Sequence, residues 1–127
     1  MAYPQNYRYT REHEWIDPAT GRVGITDYAQ NSLGDIVFVE LPKVGTVFGE
    51  GKTFGTVESV KSVSDLFAPV SGTVAEINEE LNAWPEKINA DAHESWIMKL
   101  TAANPHDADA LLDAAAYERY IAEEGAH

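Results

Sequence analysis

The chain has 127 residues, 44% of them hydrophobic, which is typical of one domain with a single modest core. It contains no cysteine, which excludes disulfides, thiolate metal sites and cysteine nucleophiles. Nine Lys and Arg against 21 Asp and Glu give a net charge of −12, which disfavours binding to nucleic acids and anionic membranes and favours partners with basic surfaces.

The sequence also argues against targeting and membrane-spanning segments. The amino terminus, MAYPQNYRYT, lacks the apolar core of a signal peptide and reaches patterned sequence within a few residues. No apolar run is long enough to cross a bilayer. We therefore expect neither a signal nor a transit peptide, and we expect a cytoplasmic protein.

The first predicted elements are a strand, a short helix and a second strand. RVGIT (22–26) is predicted as a strand, and DYAQNSLG follows as a helix with Thr26 or Asp27 at its start. Gly34 is expected to end this helix in a left-handed conformation. DIVFVELP (35–42) is rich in β-branched and aromatic residues and ends at a proline, which predicts the next strand.

The middle of the chain continues as short strands separated by turns. TVF, TFGTVESV, VSDLFAPV and GTVAEINEEL follow in order, with the turn-type sequence GEGK between the first two. SWIMKL (95–100) is the last predicted strand. Many short strands at regular spacing indicate an antiparallel sandwich or barrel. We predict a mainly β protein with short helices.

A short internal repeat suggests two related halves. PKVGTV (42–47) and PVSGTV (69–74) share the pattern Pro-x-x-Gly-Thr-Val, 27 residues apart. Each copy follows an apolar strand, so each half would contain a strand, a turn and a new strand. Real duplication and chance clustering of turn residues both remain open on this evidence.

The tail, from about 104 to 124, changes to a helical pattern. Asn104 is predicted as a cap, Pro105 as the first helical residue and Asp107 as part of the first turn. Asp113 marks a predicted break at which a second helix could begin. The apolar residues at helical spacing favour a helix packed on the β core, which we place at about 9–101 of a single domain spanning 1–127.

Residues 57–66, VESVKSVSDL, form a near-palindrome around Lys61 and Ser62. This symmetry predicts two antiparallel strands with a two-residue tip, although such tips usually carry glycine or asparagine. Like charges directly opposite each other would destabilise the hairpin. The predicted cross-strand pairs are Val60–Val63, Ser59–Ser64, Glu58–Asp65 and Val57–Leu66.

No catalytic apparatus is evident in the sequence. His13, His93, His106 and His127 are scattered without metal-ligand spacing, so we predict no metal site. The chain lacks a G-x-S-x-G elbow, and its glycine run FGEGKTFG opens no helix that could bind phosphate. Acidic residues are too abundant for any pair to identify an acid–base site.

Lys61 is the one residue whose setting suggests chemistry. A surface lysine is usually a solvated charge, and that interpretation remains open. Valines on both sides of the tip indicate that it is packed or recognised. If Lys61 forms an amide with a cofactor, its charge disappears and its four-carbon stem becomes a flexible tether.

The sequence closely resembles the glycine cleavage H-protein family of lipoyl carriers. The resemblance runs through YTREHEW (9–15), VGITDYAQNSLGDIVFVELPKVGT (23–46), FGTVESVKSVSDLFAPVSGTVAEIN (54–78), SWIMKL and LLDAAAYERYI. These segments occur in the family's order over nearly the whole chain. The resemblance implies a barrel-sandwich hybrid of the lipoyl- and biotinyl-domain type with a C-terminal helical tail.

The resemblance implies that Lys61 carries lipoic acid in amide linkage and that the chain is a carrier rather than an enzyme. The arm would visit glycine decarboxylase, which uses pyridoxal phosphate, and an aminomethyltransferase that uses tetrahydrofolate. Dihydrolipoamide dehydrogenase, with FAD, would then reoxidise the dithiol. Tethering would raise the local concentration of the arm at each partner.

The resemblance also assigns supporting residues. Glu14 and Asp65 would shelter the cationic amine of the loaded arm by charge-assisted hydrogen bonds; from the sequence, surface charges without this role are as plausible. Ser62 replaces the family's usual alanine, and DAHESW and NAWPEKIN also depart from its pattern. The lipoylating enzyme is expected to recognise the surroundings of Lys61, namely Glu58, Ser59, Val60, Ser62 and Asp65.

Rival interpretations remain. Biotin carriers surround their lysine with methionines, whereas this chain has Val60 and Ser62. Lipoyl domains of 2-oxoacid dehydrogenases usually present Asp-Lys-Ala and lack the HEW start and helical tail. In a relay role the chain would donate lipoyl groups to other complexes, and sequence hardly distinguishes this role from glycine cleavage. A hydrolase that uses the acidic residues is a further alternative, and it would keep its activity after Lys61→Arg.

Overall fold

The computed structural model describes residues 3–125, and within them nine strands form two antiparallel sheets. The larger sheet has six strands in the order β1-β2-β3-β9-β8-β5, and the smaller has the order β4-β6-β7. The strands are β1 (Arg8–Tyr9), β2 (Glu14–Ile16), β3 (Arg22–Ile25), β4 (Ile36–Glu40), β5 (Val47–Phe48), β6 (Thr53–Ser59), β7 (Val63–Phe67), β8 (Gly72–Ile77) and β9 (Met98–Ala102).

Short helices connect and cover the sheets. They are α1 (Asp27–Leu33), α2 (Glu80–Ala83), α3 (Lys87–Ala90) and α4 (Ala114–Gly125), with a 3₁₀ helix at Asp107–Ala110. The predicted bounds of α1 are confirmed: the Thr26 hydroxyl accepts a hydrogen bond from the Ala29 amide, and Gly34 ends the helix at φ 81°. The mainly β fold with a C-terminal helix is therefore as predicted.

The core lies between the inner faces of the two sheets. It is built mostly from buried aliphatic side chains, which alternate with exposed residues along the strands. Among the buried ones are Val23, Val39, Val57, Val74 and Leu100. Trp15 packs so tightly against β3 that a Cβ at Gly24 would lie 2.7 Å from its indole ring. This close approach explains the glycine in the middle of that strand.

The two copies of the repeat occupy related places. β4 and β7 begin 27 residues apart, matching the spacing of the repeats, and they flank β6 on opposite sides. The strands that follow the two turns pair with each other, Val47 opposite Thr73 and Phe48 opposite Gly72. This arrangement favours two related β halves over a chance match.

A second cluster, made of aromatic residues, holds α4 against β1 and β2. The rings of Tyr9 and Tyr117 stack at 4.8 Å, and both side chains are fully buried. Asp113 caps α4 by accepting a hydrogen bond from the Ala116 amide, which confirms the predicted second helix. The predicted helix start at Asn104 and Pro105 is wrong: Asn104 instead closes a turn, and the 3₁₀ helix begins at Asp107.

Two strand predictions also need correction. The last strand begins at Met98 and continues to Ala102, so it is displaced from the predicted 95–100. The hairpin around Lys61 is paired two residues away from the palindromic register, because Glu58 lies opposite Val63 and Val57 opposite Ser64. Asp65 therefore faces Thr56 rather than Glu58, and the expected repulsion between opposed carboxylates does not occur.

Candidate functional site: the lysine loop and the acidic cleft

The loop that presents Lys61 between β6 and β7 has three residues, Val60 to Ser62, rather than two, and Ser59 ends β6. The Ser59 amide donates to the Ser62 carbonyl (2.8 Å), and the Ser59 hydroxyl accepts from the amides of Lys61 (3.4 Å) and Ser62 (3.2 Å). Among residues 3–125, His13 is the one non-glycine residue with positive φ, so neither Lys61 nor Ser62 needs a left-handed conformation. The loop therefore forms without a turn glycine because the Ser59 side chain bonds its amides.

The loop is anchored to the start of β4 and lies beside the end of α1. The Val60 amide donates to the Asp35 carbonyl at 3.0 Å. Lys61 extends over Gly34, where a Cβ would lie 3.3 Å from the Lys61 Cε atom. Because Gly34 has no side chain, the exposed lysine stem has room to lie along the end of α1.

A cleft of about 320 Å³ opens beside α1, between β2, β7 and the end of α4. Leu33 and Ser32, the residues just before Gly34, form part of its wall. Glu14 and Asp65 both line this cleft. The remaining lining residues are Glu12, His13, Ile25, Tyr28, Ala29, Val57, Ser64, Leu66 and Glu124.

Glu14 is a buried carboxylate, only 2% exposed, so the alternative of an ordinary surface charge is wrong. One carboxylate oxygen accepts from the Thr10 hydroxyl (2.7 Å) and the other from the Phe67 amide (3.2 Å). Burial raises its pKa to about 7, although these hydrogen bonds act in the opposite direction. Glu14 thereby links β2 of the larger sheet to β7 of the smaller one.

The end of α4 contributes a wall that sequence reasoning missed. His13 lines the cleft with φ 71°; its Nδ1 lies 2.8 Å from the Tyr117 hydroxyl, and its Nε2 lies 3.1 Å from a Glu124 oxygen. Burial lowers the pKa of His13, while Glu124 raises it. The Tyr117 hydroxyl also lies 2.7 Å from the buried Thr26 hydroxyl. No local pattern reveals this wall, because it depends on α4 returning to β2.

The other residues expected to be recognised around Lys61 differ in their exposure to solvent. Ser59 is buried and structural, whereas Glu58, Ser62 and Asp65 are exposed. Val60 and Val63 are also exposed, so the valines beside the tip do not pack into the core. They remain available to a partner.

Neither a metal-binding cluster nor a membrane-spanning helix is found in the described part of the chain. Across residues 3–125, no group of three His, Asp or Glu side chains could hold a metal ion, and His127 lies outside those residues. His93 instead accepts a hydrogen bond from the Asp27 amide at the start of α1. No helix in the same range has both the length and the apolar character needed to cross a membrane.

The fold and the site define a carrier-type domain of the lipoyl- and biotinyl-domain class, with an exposed hairpin lysine beside an acidic cleft. The family model for the glycine cleavage H-protein matches residues 7–124. The chain is 67% identical over 129 residues to the glycine cleavage system H protein of Acidobacterium capsulatum, with 100% of each chain covered. The chain therefore belongs to the glycine cleavage H-protein family.

Two further comparisons agree. The glycine cleavage system H protein of Koribacter versatilis is 61% identical over 127 residues, again with 100% of each chain covered. The crystal structure of a glycine cleavage system H protein from Mycobacterium marinum has a TM-score of 0.81 and 39% identity, covering 97% of this chain and 99% of that one. Sequence and fold thus point to one family over the full chain.

Proposed function

We propose that this chain is the lipoyl carrier of a glycine cleavage system and that Lys61 is the attachment residue. Its membership of the family supports the carrier role, and the loop geometry supports the choice of lysine. Lys61 is exposed at the tip of a loop whose amides are bonded internally, so its Nζ can be reached without unfolding the hairpin.

The surroundings of Lys61 fit a long covalent arm. The lysine stem lies along Gly34, and the adjoining residues of α1 lead to a cleft large enough to receive part of an arm. When attached, the lipoyl group would supply a dithiolane that opens reductively as it takes up the aminomethyl group of glycine and that is reoxidised once the dithiol has been released. The chain's own contribution is to hold the lysine, present the arm and receive its end.

The shelter role of Glu14 and Asp65 is part of this proposal. A buried carboxyl with a pKa of about 7 is poised to ionise when a cation enters the cleft, because the cation stabilises its charged form. Asp65 and Glu124 line the same cleft and add negative charge. An ammonium group on the arm would therefore find charge-assisted hydrogen-bond acceptors in the cleft.

The chain would act without catalysing a reaction of its own. The chemistry would belong to glycine decarboxylase with pyridoxal phosphate, an aminomethyltransferase with tetrahydrofolate and dihydrolipoamide dehydrogenase with FAD, after a lipoylating enzyme has modified Lys61. A net charge of −12 favours basic surfaces on these partners. We place this exchange in the cytoplasm.

Lys61→Arg tests the proposal because it keeps the charge but cannot form the amide. The folded variant should not support glycine cleavage by the purified partner enzymes, whereas Lys52→Arg, at another exposed lysine, should remain active. Activity of the folded Lys61→Arg protein would refute the attachment site. If the lipoylated wild-type chain supports other lipoate-dependent complexes but not glycine cleavage, the relay role replaces the one proposed.

A further inference from the structure

The outer face of the small sheet next to Lys61 carries exposed apolar side chains. A β-bulge in β4 inserts one extra residue between Ile36 and Phe38, opposite Ser59 and Glu58. Val37 and Phe38 consequently both reach the surface, with 52% and 48% of their areas exposed. In a regular strand one of the two would point into the core.

These side chains are continuous with the Lys61 loop. Phe38 lies opposite Glu58, which in turn lies opposite Val63, so the three residues form one row across the sheet. The hydrogen bond from Val60 to Asp35 brings the loop to the start of β4. Val63 and Val60 are 65% and 69% exposed, which completes an apolar surface beside the lysine.

The charges on this face all have one sign apart from Lys61. The next row across the sheet is Glu40, Thr56 and Asp65, so the two rows of six residues carry three carboxylates. Apolar side chains surrounded by acidic ones complement an apolar groove with Lys and Arg at its rim.

We propose that Val37, Phe38, Val60 and Val63, with Glu40 and Glu58, form a docking surface for the lipoylating enzyme, which would bind it through an apolar groove rimmed by basic residues. The proposal rests on Lys61 being the attachment residue. An enzyme that forms the amide must bring its active site to Nζ itself, so its surface must contact the residues beside the lysine. Enzymes that use the completed arm act on its sulfurs, at the far end from Lys61, and can therefore bind the chain further from the lysine.

Kinetics of lipoylation test this surface. Apo protein is incubated with a lipoate–protein ligase, lipoate and ATP, and the modified fraction is followed by intact-mass spectrometry. Phe38→Ser should lower kcat/KM by about tenfold or more, mainly through KM, as expected for truncation of a central interface residue. Val37→Ser is a second variant at the same surface, in case Phe38→Ser alters folding.

Matched controls separate docking from general effects. Val44→Ser removes an exposed valine outside the proposed surface and should leave kcat/KM within about twofold of wild type. Combining Glu40→Gln with Glu58→Gln should weaken the salt dependence of the rate, whereas Glu123→Gln on α4 should not.

The outcomes distinguish this proposal from the one on which it rests. If wild type is fully lipoylated on Lys61 and both serine variants react at the wild-type rate, the docking surface is wrong and the attachment site stands. If wild type gains no lipoyl group on Lys61, the attachment site itself is wrong and the docking proposal falls with it.

Discussion

Replacing Glu14 with Gln should make the stability of the protein less dependent on pH. Burial raises the pKa of Glu14 from its usual value of 4.5 to about 7 in the folded chain. Well below pH 4.5 the carboxyl is protonated in both the folded and the unfolded chain, so its ionisation does not change the free energy of unfolding. Between pH 4.5 and 7 the unfolded chain releases its proton more readily, and the free energy of unfolding therefore falls as pH rises.

The size of this effect follows from the pKa difference. Because the two pKa values differ, the free energy of unfolding of wild type should fall by about 2–3 kcal/mol between pH 5 and pH 8. Gln has no such titration, and like the protonated carboxyl it has a single carbonyl oxygen, so it mimics the protonated form of Glu14 between the Thr10 hydroxyl and the Phe67 amide. Glu14→Gln should therefore be about as stable as wild type at pH 5 and more stable than wild type at pH 8.

Urea unfolding of both proteins at several pH values measures the difference. Glu12→Gln is the control, because this exposed neighbour also lines the cleft, and its stability should follow the wild-type curve. If the curves of Glu14→Gln and wild type run parallel from pH 5 to pH 8, Glu14 does not titrate in this range and the argument from burial fails.

Two further substitutions test the loop and the wall of the cleft. Ser59→Ala should speed hydrogen exchange at the Lys61 and Ser62 amides and cost about 1 kcal/mol, whereas Ser62→Ala should not; equal exchange in both would contradict the role of Ser59. Tyr117→Phe should destabilise the fold by about 1–3 kcal/mol, because the Thr26 hydroxyl and the His13 ring lose a buried partner. Tyr120→Phe, which removes an exposed hydroxyl, should cost less in the same urea titration.

Local sequence patterns predicted the elements well where a single residue determines an end. Thr26 and Gly34 bound α1 because a hydroxyl cap and a left-handed glycine act within one turn of helix. The β-branched and aromatic runs between turn residues likewise placed most of the strands. The repeat predicted an apolar strand before each turn, and β4 and β7 are these two strands.

The hairpin shows where such patterns mislead. Its palindromic sequence predicted a two-residue tip. The Ser59 hydroxyl instead accepts hydrogen bonds from the loop amides, which stabilises a longer loop, and the strand register differs from the palindromic one by two residues. Similarly, Asn104 formed a turn rather than a helix cap, since its side chain bonds the His106 amide. A residue that can bond nearby amides supports several local structures, and packing selects among them.

The site was predictable only in part. Lys61 and the acidic pair Glu14 and Asp65 came from the family resemblance, and the structure places the pair in one cleft. The burial of Glu14 and the left-handed His13 depend on contacts between elements far apart in sequence. The exposure of both Val37 and Phe38 depends on a bulge that alternation of apolar residues does not reveal.

The central claim is that Lys61 carries the lipoyl group. Intact-mass spectrometry of the natively expressed protein, followed by peptide mapping, tests it directly. The account predicts an increment of lipoyl size located on Lys61 and absent from Lys61→Arg. A biotin-sized increment, or a lipoyl group on another lysine, would contradict it.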